Sequence, residues 1–226
     1  MPLDQHADIE ISAFNWVPDF AQGFVRDLRP RWAMEEAGIA YRTTLLHAAE
    51  PRSETYIAAQ PFGQVPVMTD GDLSIFESGA ILLHLAEKSD ILMPKDPAGR
   101  AATHAWLFAA LNSIEPFMFE LFFVHIVHAD QEWAKLRKPS LEAFVHERLK
   151  PVSAALGDKE YFTGRFTIAD IAMTTVLREI DRYLGLSGYP NLEAYLKRCM
   201  GRPAFQRALE AQMADFTGKA PEGFPA

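Results

Sequence analysis

The chain has 226 residues, 49% hydrophobic and 23% charged, which excludes a disordered or fibrous polymer and leaves room for two small domains or one large one. A formal net charge of -8 argues against nucleic acid as a partner, since a phosphate-binding surface needs clustered Lys and Arg to displace counterions. The arginines at 26, 29 and 31 are too few to alter this, although they can serve a local anion. The single cysteine, Cys199, excludes an intrachain disulfide and a cysteine-built metal site.

The segment Met1 to Glu10 is acidic and has no apolar core of the kind a secretory signal carries. No run approaches the roughly 18 apolar residues of a membrane span, and the most apolar stretch, Phe117 to Val127, is broken by Glu120 and His125. The expectation is a cytoplasmic protein with no membrane partner.

Taken in order, Ile9 to Phe14 alternates apolar and polar residues and predicts a strand. After a loop around Pro18 and Gly23, Leu28 to Ala37 predicts a helix stopped by Gly38. Tyr41 to Leu46 is a second strand, and a short helical or irregular piece spans Ser53 to Ala59. Val65 to Thr69 and Asp72 to Phe76 flank Asp70-Gly71, a hairpin signal, and Gly79 to Lys88 continues as a helix. The order β-α-β, connection, β-β-α is that of a thioredoxin-like domain with a four-stranded mixed sheet.

Met93 to Pro97, with two prolines, punctuates the chain. The predicted organisation is a first domain over 1–90, a linker over 91–97 and an all-helical bundle over 98–226. Helices are predicted at Arg100 to Glu120, Gln131 to Leu156, Ile168 to Leu184, Asn191 to Met200 and Pro203 to Met213, with Gly218 to Ala226 as a tail. Phe166 to Ile171 contains a capping box, Thr167 with Asp170 at N3, and a hydrophobic staple of Phe166 with Ile171.

Two short motifs carry chemistry. In Gln60-Pro61-Phe62-Gly63-Gln64-Val65-Pro66-Val67, a cis proline at the strand start turns the Val65 backbone N–H and C=O outward, where an extended peptide can pair with them; a trans proline on an edge strand is the bland alternative. Glu77-Ser78 stands immediately before a helix whose N-terminus attracts a carboxylate. Ser78 can add a hydroxyl and Glu77 can pair with an ammonium group, a combination suited to an α-amino-acid end. Alternatively Ser78 is a plain N-cap. The hairpin brings both motifs to one end of the sheet.

These residues, with the linker Leu92 to Pro97 and the capping segment Gly164 to Asp170, resemble the soluble glutathione transferases over nearly the whole chain. The resemblance implies that glutathione is the co-substrate. By position, Val65 takes the cysteinyl backbone beside a cis Pro66, Glu77 and Ser78 hold the γ-glutamyl end, and Gln64 lies near the glycyl end. It also implies a homodimer and, as the main activity, attack of the glutathione thiolate on an apolar electrophile bound between the domains, the chemistry of detoxification. Trp106, Phe117 and Phe119 are candidates for that apolar pocket, although helical spacing makes them core residues first.

The resemblance breaks at the group that stabilises the thiolate. The family places a Tyr, Ser or Cys between the first strand and first helix, and Phe14 to Asp27 contains none; Ser12 falls earlier, within the strand. The substitutes are the first free amides of the helix with the Arg26 guanidinium and a hydrogen bond from Asn15. The surface alternative pairs Arg26 with Asp19 or Asp27. No metal is expected, since His125 and His128 share a helix face without a clear third ligand. Two other activities stay open: glutathione-dependent redox or disulfide chemistry, run through glutathione alone, and a non-catalytic binding or regulatory module on the same fold.

Overall fold

The structure, a computed structural model, describes residues 2–223. The chain divides into two compact units, Met1–Leu92 with Pro203–Ala226, and Met93–Arg202.

In the first unit, β1 (Glu10–Trp16), β2 (Arg42–His47), β3 (Val67–Asp70) and β4 (Leu73–Phe76) form one sheet in the order β2-β1-β3-β4. β1 runs parallel to β2 and antiparallel to β3, which pairs antiparallel with β4. The parallel pair needs a crossover, supplied by α1 (Leu28–Ala37). Gly38 ends α1 in the left-handed conformation at φ 66°, where a Cβ would be strained. The two remaining helices before the linker are α2 (Glu54–Ala59) and α3 (Ser78–Glu87). Pro30 is the third residue of α1, within the first turn, where its missing N–H costs no helical bond.

α1 is buried from Leu28 to Glu35, which no amphipathic surface helix would be. Its other cover is the last helix of the chain, Pro203–Asp215. Phe205 packs edge-on to Trp32 at 4.9 Å, and Arg31, fully buried, donates to Asp27 (2.8 Å) and to Asp215. Gln212 completes the cluster by donating to Asp27 at 2.8 Å and to the Val25 carbonyl at 3.0 Å. The final helix thus belongs by packing to the first unit, whereas the sequence pattern groups all of 98–226 as one helical domain. Of the three clustered arginines, Arg29 and Arg31 are interior groups with polar partners.

The predicted tail begins as ordered chain, with Gly218 N–H donating to the Asn15 carbonyl at 2.8 Å. Residues 224–226 of that tail lie outside the described residues.

The second unit is helical: α4 (Pro97–Phe108), α5 (Glu115–Phe122), α6 (Glu132–Leu156), α7 (Ile168–Leu184) and α8 (Pro190–Met200); the last helix of the chain, in the first unit, is α9. Asp96 caps α4 by accepting from Gly99 N–H at 2.8 Å, and Pro97 occupies its first turn. The helix widens to π geometry over Ala109–Ile114, just before Pro116. Proline cannot donate back to residue 112 and its ring crowds that carbonyl, so the widened turn relieves the conflict. A second π segment, Phe123–Val127, follows α5.

Pro97–Val127 is therefore one helical run of 31 residues, long and apolar enough by composition to cross a membrane, contrary to the reading that no run approaches that length. Within this unit it is a packing helix: Thr103, Leu107, Ala110, Ile114, Met118, Leu121 and Val124 are buried along it at three- and four-residue spacing.

α7 is the most deeply buried helix of the second unit, with every residue from Ile168 to Thr174 inside. Its start matches the predicted capping box: Asp170 accepts from Thr167 N–H at 2.9 Å, reciprocating the Thr167 cap. The Asp170 carboxylate also accepts from Phe162 N–H at 3.3 Å and Tyr195 Oη at 3.0 Å. Even with these donors, burial pushes its pKa up to about 6.

Candidate functional site

The register of the β3–β4 hairpin builds the site. Val67 pairs with Phe76, so Val65-Pro66, just before β3, lies opposite Glu77-Ser78, just after β4. The Val65–Pro66 bond is cis, the alternative that turns the Val65 main chain outward. Val65 and Pro66 are buried, and Gln64 is exposed beside them.

Glu77 has φ 70° and ψ 116°, a positive φ in a non-glycine residue. Such backbone costs on the order of 1–3 kcal/mol and persists where the surroundings impose it, often at binding sites. The Glu77 side chain is exposed, while Ser78, first residue of the ten-residue α3, is 4% exposed. Ser78 Oγ accepts a hydrogen bond from Arg29 Nη1 at 3.0 Å. Its own proton remains available to an acceptor. The buried Arg29 guanidinium adds positive charge to that of the helix N-terminus.

The loop leading to Val65 is tied down in detail. Gln60, 2% exposed, accepts from Phe62 N–H at 2.7 Å through its side chain. Gly63 turns the chain at φ 66°. Arg52 donates to the carbonyls of His47, Glu50 and Gly63 at 2.9, 2.7 and 3.0 Å. Tyr56 Oη donates to the Gln64 carbonyl at 2.6 Å and lies 2.8 Å from Ser12 Oγ, which accepts from Val67 N–H at 2.7 Å. Burial raises the Tyr56 pKa, which keeps the phenol protonated as a donor.

The proposed thiolate-stabilising residues fall in two places. Asn15 is the penultimate residue of β1, half-buried beneath Gly218. A Cβ on Gly218 would come within 2.9 Å of Asn15 Oδ1 and 3.0 Å of the Asn15 carbonyl oxygen, so a side chain there would require its surroundings to shift. Asn15 Oδ1 is buried without a hydrogen-bond partner; as an acceptor it offers nothing to an anion, and only the Nδ2 end could donate. Arg26 is half-buried, just ahead of the Asp27 cap of α1. The expected free amides at the start of α1 are taken: Leu28 N–H donates to the Val25 carbonyl and Arg29 N–H to the Arg26 carbonyl, both at 3.1 Å, and Pro30 has no N–H to offer.

In the helical unit, Trp106 packs on Phe162 with centroids 4.4 Å apart. Phe117 packs edge-on to Phe144 at 4.7 Å with the Arg148 guanidinium over its ring. Phe119 is exposed beside Phe122 and Phe123. The three candidates thus have three separate sets of aromatic neighbours. Among the described residues, no group of three or more His, Cys, Asp or Glu comes together as a metal site. Cys199 is buried, and burial pushes its thiol up to about 12.

Four residues around the site carry no sequence motif: Ser12, Arg29, Arg52 and Tyr56. Two of them carry a weaker signal in the sequence: Arg29 lies in the short arginine cluster suited to a local anion, and Ser12 is a hydroxyl within β1, where a buried polar group needs a partner.

Comparison with known proteins places the chain in a family. The model of the glutathione S-transferase N-terminal domain matches residues 21–87, and that of the C-terminal domain matches residues 114–203. Glutathione S-transferase F10 of Arabidopsis thaliana is 34% identical over 164 residues, covering 68% of this chain and 75% of the relative. Disulfide-bond oxidoreductase YfcG of Escherichia coli is 29% identical over 195 residues, covering 80% and 89%. The crystal structure of a glutathione transferase family member from Pseudomonas fluorescens, with two glutathione bound, shares the fold at a TM-score of 0.80 with 24% identity, covering 92% of this chain and 95% of that one. The order of a thioredoxin-like domain and a helical domain, and the two family models that between them match most of the chain, establish that this protein belongs to the glutathione S-transferase family.

Proposed function

We propose that this protein is a glutathione-dependent transferase whose first unit binds glutathione through Val65, Glu77 and Ser78. The observation that carries the reading is the pairing of Arg29 with Ser78 at the start of α3 (3.0 Å). A buried cation, a hydroxyl with a free proton and a helix N-terminus converge on one point, an arrangement suited to the α-carboxylate of the γ-glutamyl end. The exposed Glu77 carboxylate answers the α-ammonium group. Val65 pairs its main chain with the cysteinyl residue, Pro66 closes that edge, and Gln64 lies toward the glycyl end.

The reaction is nucleophilic. The glutathione thiolate donates an electron pair to an electrophilic carbon, a carbon–sulfur bond forms, and the leaving group departs with the pair of the bond that breaks. Arg26 stabilises the thiolate, with the Asn15 amide as a second donor. Trp106, Phe117 and Phe119 contribute apolar surface to the electrophile. A homodimer, a cytoplasmic setting and a role in detoxification accompany this reading by family.

A second reading, glutathione-dependent disulfide reduction, is favoured by the likeness to the E. coli disulfide-bond oxidoreductase. With Cys199 buried and no other cysteine in the chain, that chemistry would use two glutathione thiols. Turnover of an activated aryl halide with glutathione, beside reduction of a small organic disulfide, separates the readings. Conjugation as the faster reaction supports transfer, and disulfide reduction alone replaces it with the second reading.

A further inference from the structure

We infer that Ser12 and Tyr56 are positioning residues for the glutathione-binding backbone at Val65, an inference that rests on the proposed glutathione site. Their hydrogen bonds have a defined direction. Val67 N–H donates to Ser12 Oγ (2.7 Å), and Tyr56 Oη donates to the Gln64 carbonyl (2.6 Å). A phenol has one proton, and Tyr56 has given it to a carbonyl that can only accept. The 2.8 Å contact between the two hydroxyls is therefore a bond from Ser12 Oγ–H to Tyr56 Oη.

The result is a closed relay. It leaves the chain at Val67 N–H, passes through Ser12 and Tyr56, and returns at Gln64 C=O. Only Val65 and Pro66 lie inside the loop. The main-chain groups on both sides of this dipeptide are fixed by side chains from two other elements, β1 and α2. Ordinary ladder pairing does not do this here: the β1–β3 register runs from Glu10 with Thr69 to Ile11 with Met68 and stops one residue short of Ser12. A side-chain hydroxyl takes over where the strand pairing ends.

Fixing the peptide groups that flank Val65 sets the direction of its own N–H and C=O before a ligand arrives. A preorganised edge loses less freedom on binding than a mobile one. Gln64 is exposed, so water can replace the Tyr56 hydroxyl at its carbonyl. Val67 is buried, so loss of Ser12 strands an N–H inside the protein.

The experiment compares the full-length protein with Tyr56→Phe, Ser12→Ala and Ser12→Thr by glutathione calorimetry, glutathione KM and kcat, thermal stability and amide hydrogen exchange at Val67. Tyr56→Phe is expected to weaken glutathione binding by about three- to tenfold, raise KM with kcat unchanged and leave the melting temperature nearly in place. Ser12→Ala should weaken binding at least as much and speed exchange at Val67, and Ser12→Thr should restore both. Wild-type binding with unchanged affinity in Tyr56→Phe overturns the inference while leaving the site reading intact. Failure of the wild type to bind glutathione overturns the site reading, and the inference falls with it.

Discussion

Arg29 Nη1 lies 3.0 Å from Ser78 Oγ, joining the second residue of α1 to the first residue of α3. The contact puts a buried positive charge beneath a helix N-terminus, and it turns the serine hydroxyl into a donor with one direction left to point. Removing that hydroxyl by Ser78→Ala should weaken glutathione binding by about 1–3 kcal/mol through loss of a charge-assisted hydrogen bond. Calorimetric titration measures it; an unchanged affinity in a folded variant removes Ser78 from the site.

Glu77 gives a test of backbone strain against binding. At φ 70° a glycine is at ease and an alanine is not. Glu77→Gly and Glu77→Ala should lose glutathione affinity alike, but Glu77→Gly should be the more stable of the two by about 1 kcal/mol. Denaturant midpoints of the two variants decide it, and equal stabilities would mean that the conformation is not strained.

Replacing Arg26 with alanine removes a positive charge from the approach to α1. A thiolate loses stabilisation when a nearby cation goes, so the apparent pKa of bound glutathione should rise. Ultraviolet thiolate absorbance against pH follows it; a profile identical to that of the wild type assigns the stabilisation to other groups.

Asp170 predicts a pH dependence of stability. Its pKa is about 6 in the folded chain against 3.8 as the ordinary value, so between these limits the folded state holds more proton than the unfolded state. The sign is then fixed: the Asp170 contribution is full below about pH 4 and is lost as pH rises through about 6, a decline on the order of a few kcal/mol. Asp170→Asn, though less stable at neutral pH, should flatten this part of the curve. A wild-type contribution that rises across the window contradicts the assignment.

Burial pushes the Cys199 thiol up to about 12, and Cys199 is the single cysteine of the sequence. A thiol-specific reagent should therefore leave the native protein untouched and titrate one thiol after unfolding.

Much of the architecture was legible because it rests on local rules. The β-α-β and β-β-α order, the Gly38 stop, the Asp70-Gly71 turn and the Thr167–Asp170 box each depend on a few neighbouring residues, and each appears in the structure close to its expected position. The two candidate motifs could be brought together because a hairpin is a short connection with a fixed register. What escaped depends on contacts distant in sequence. Arg31 with Asp215 spans 184 positions, and nothing in the periodicity of α9 says which unit it covers. Arg29, Tyr56 and Ser12 are likewise ordinary until the fold sets them beside Ser78, Gln64 and Val67. The apolar run from Pro97 to Val127 was underrated because the scattered polar residues inside it hid its length.

The central claim is that unit 1 holds glutathione and ionises its thiol, and the most direct measurement is calorimetric titration with glutathione read together with the ultraviolet absorbance of the bound thiolate. Saturable binding with a thiolate signal at neutral pH is the predicted result. Absence of binding contradicts the claim outright, and binding without ionisation contradicts its catalytic half.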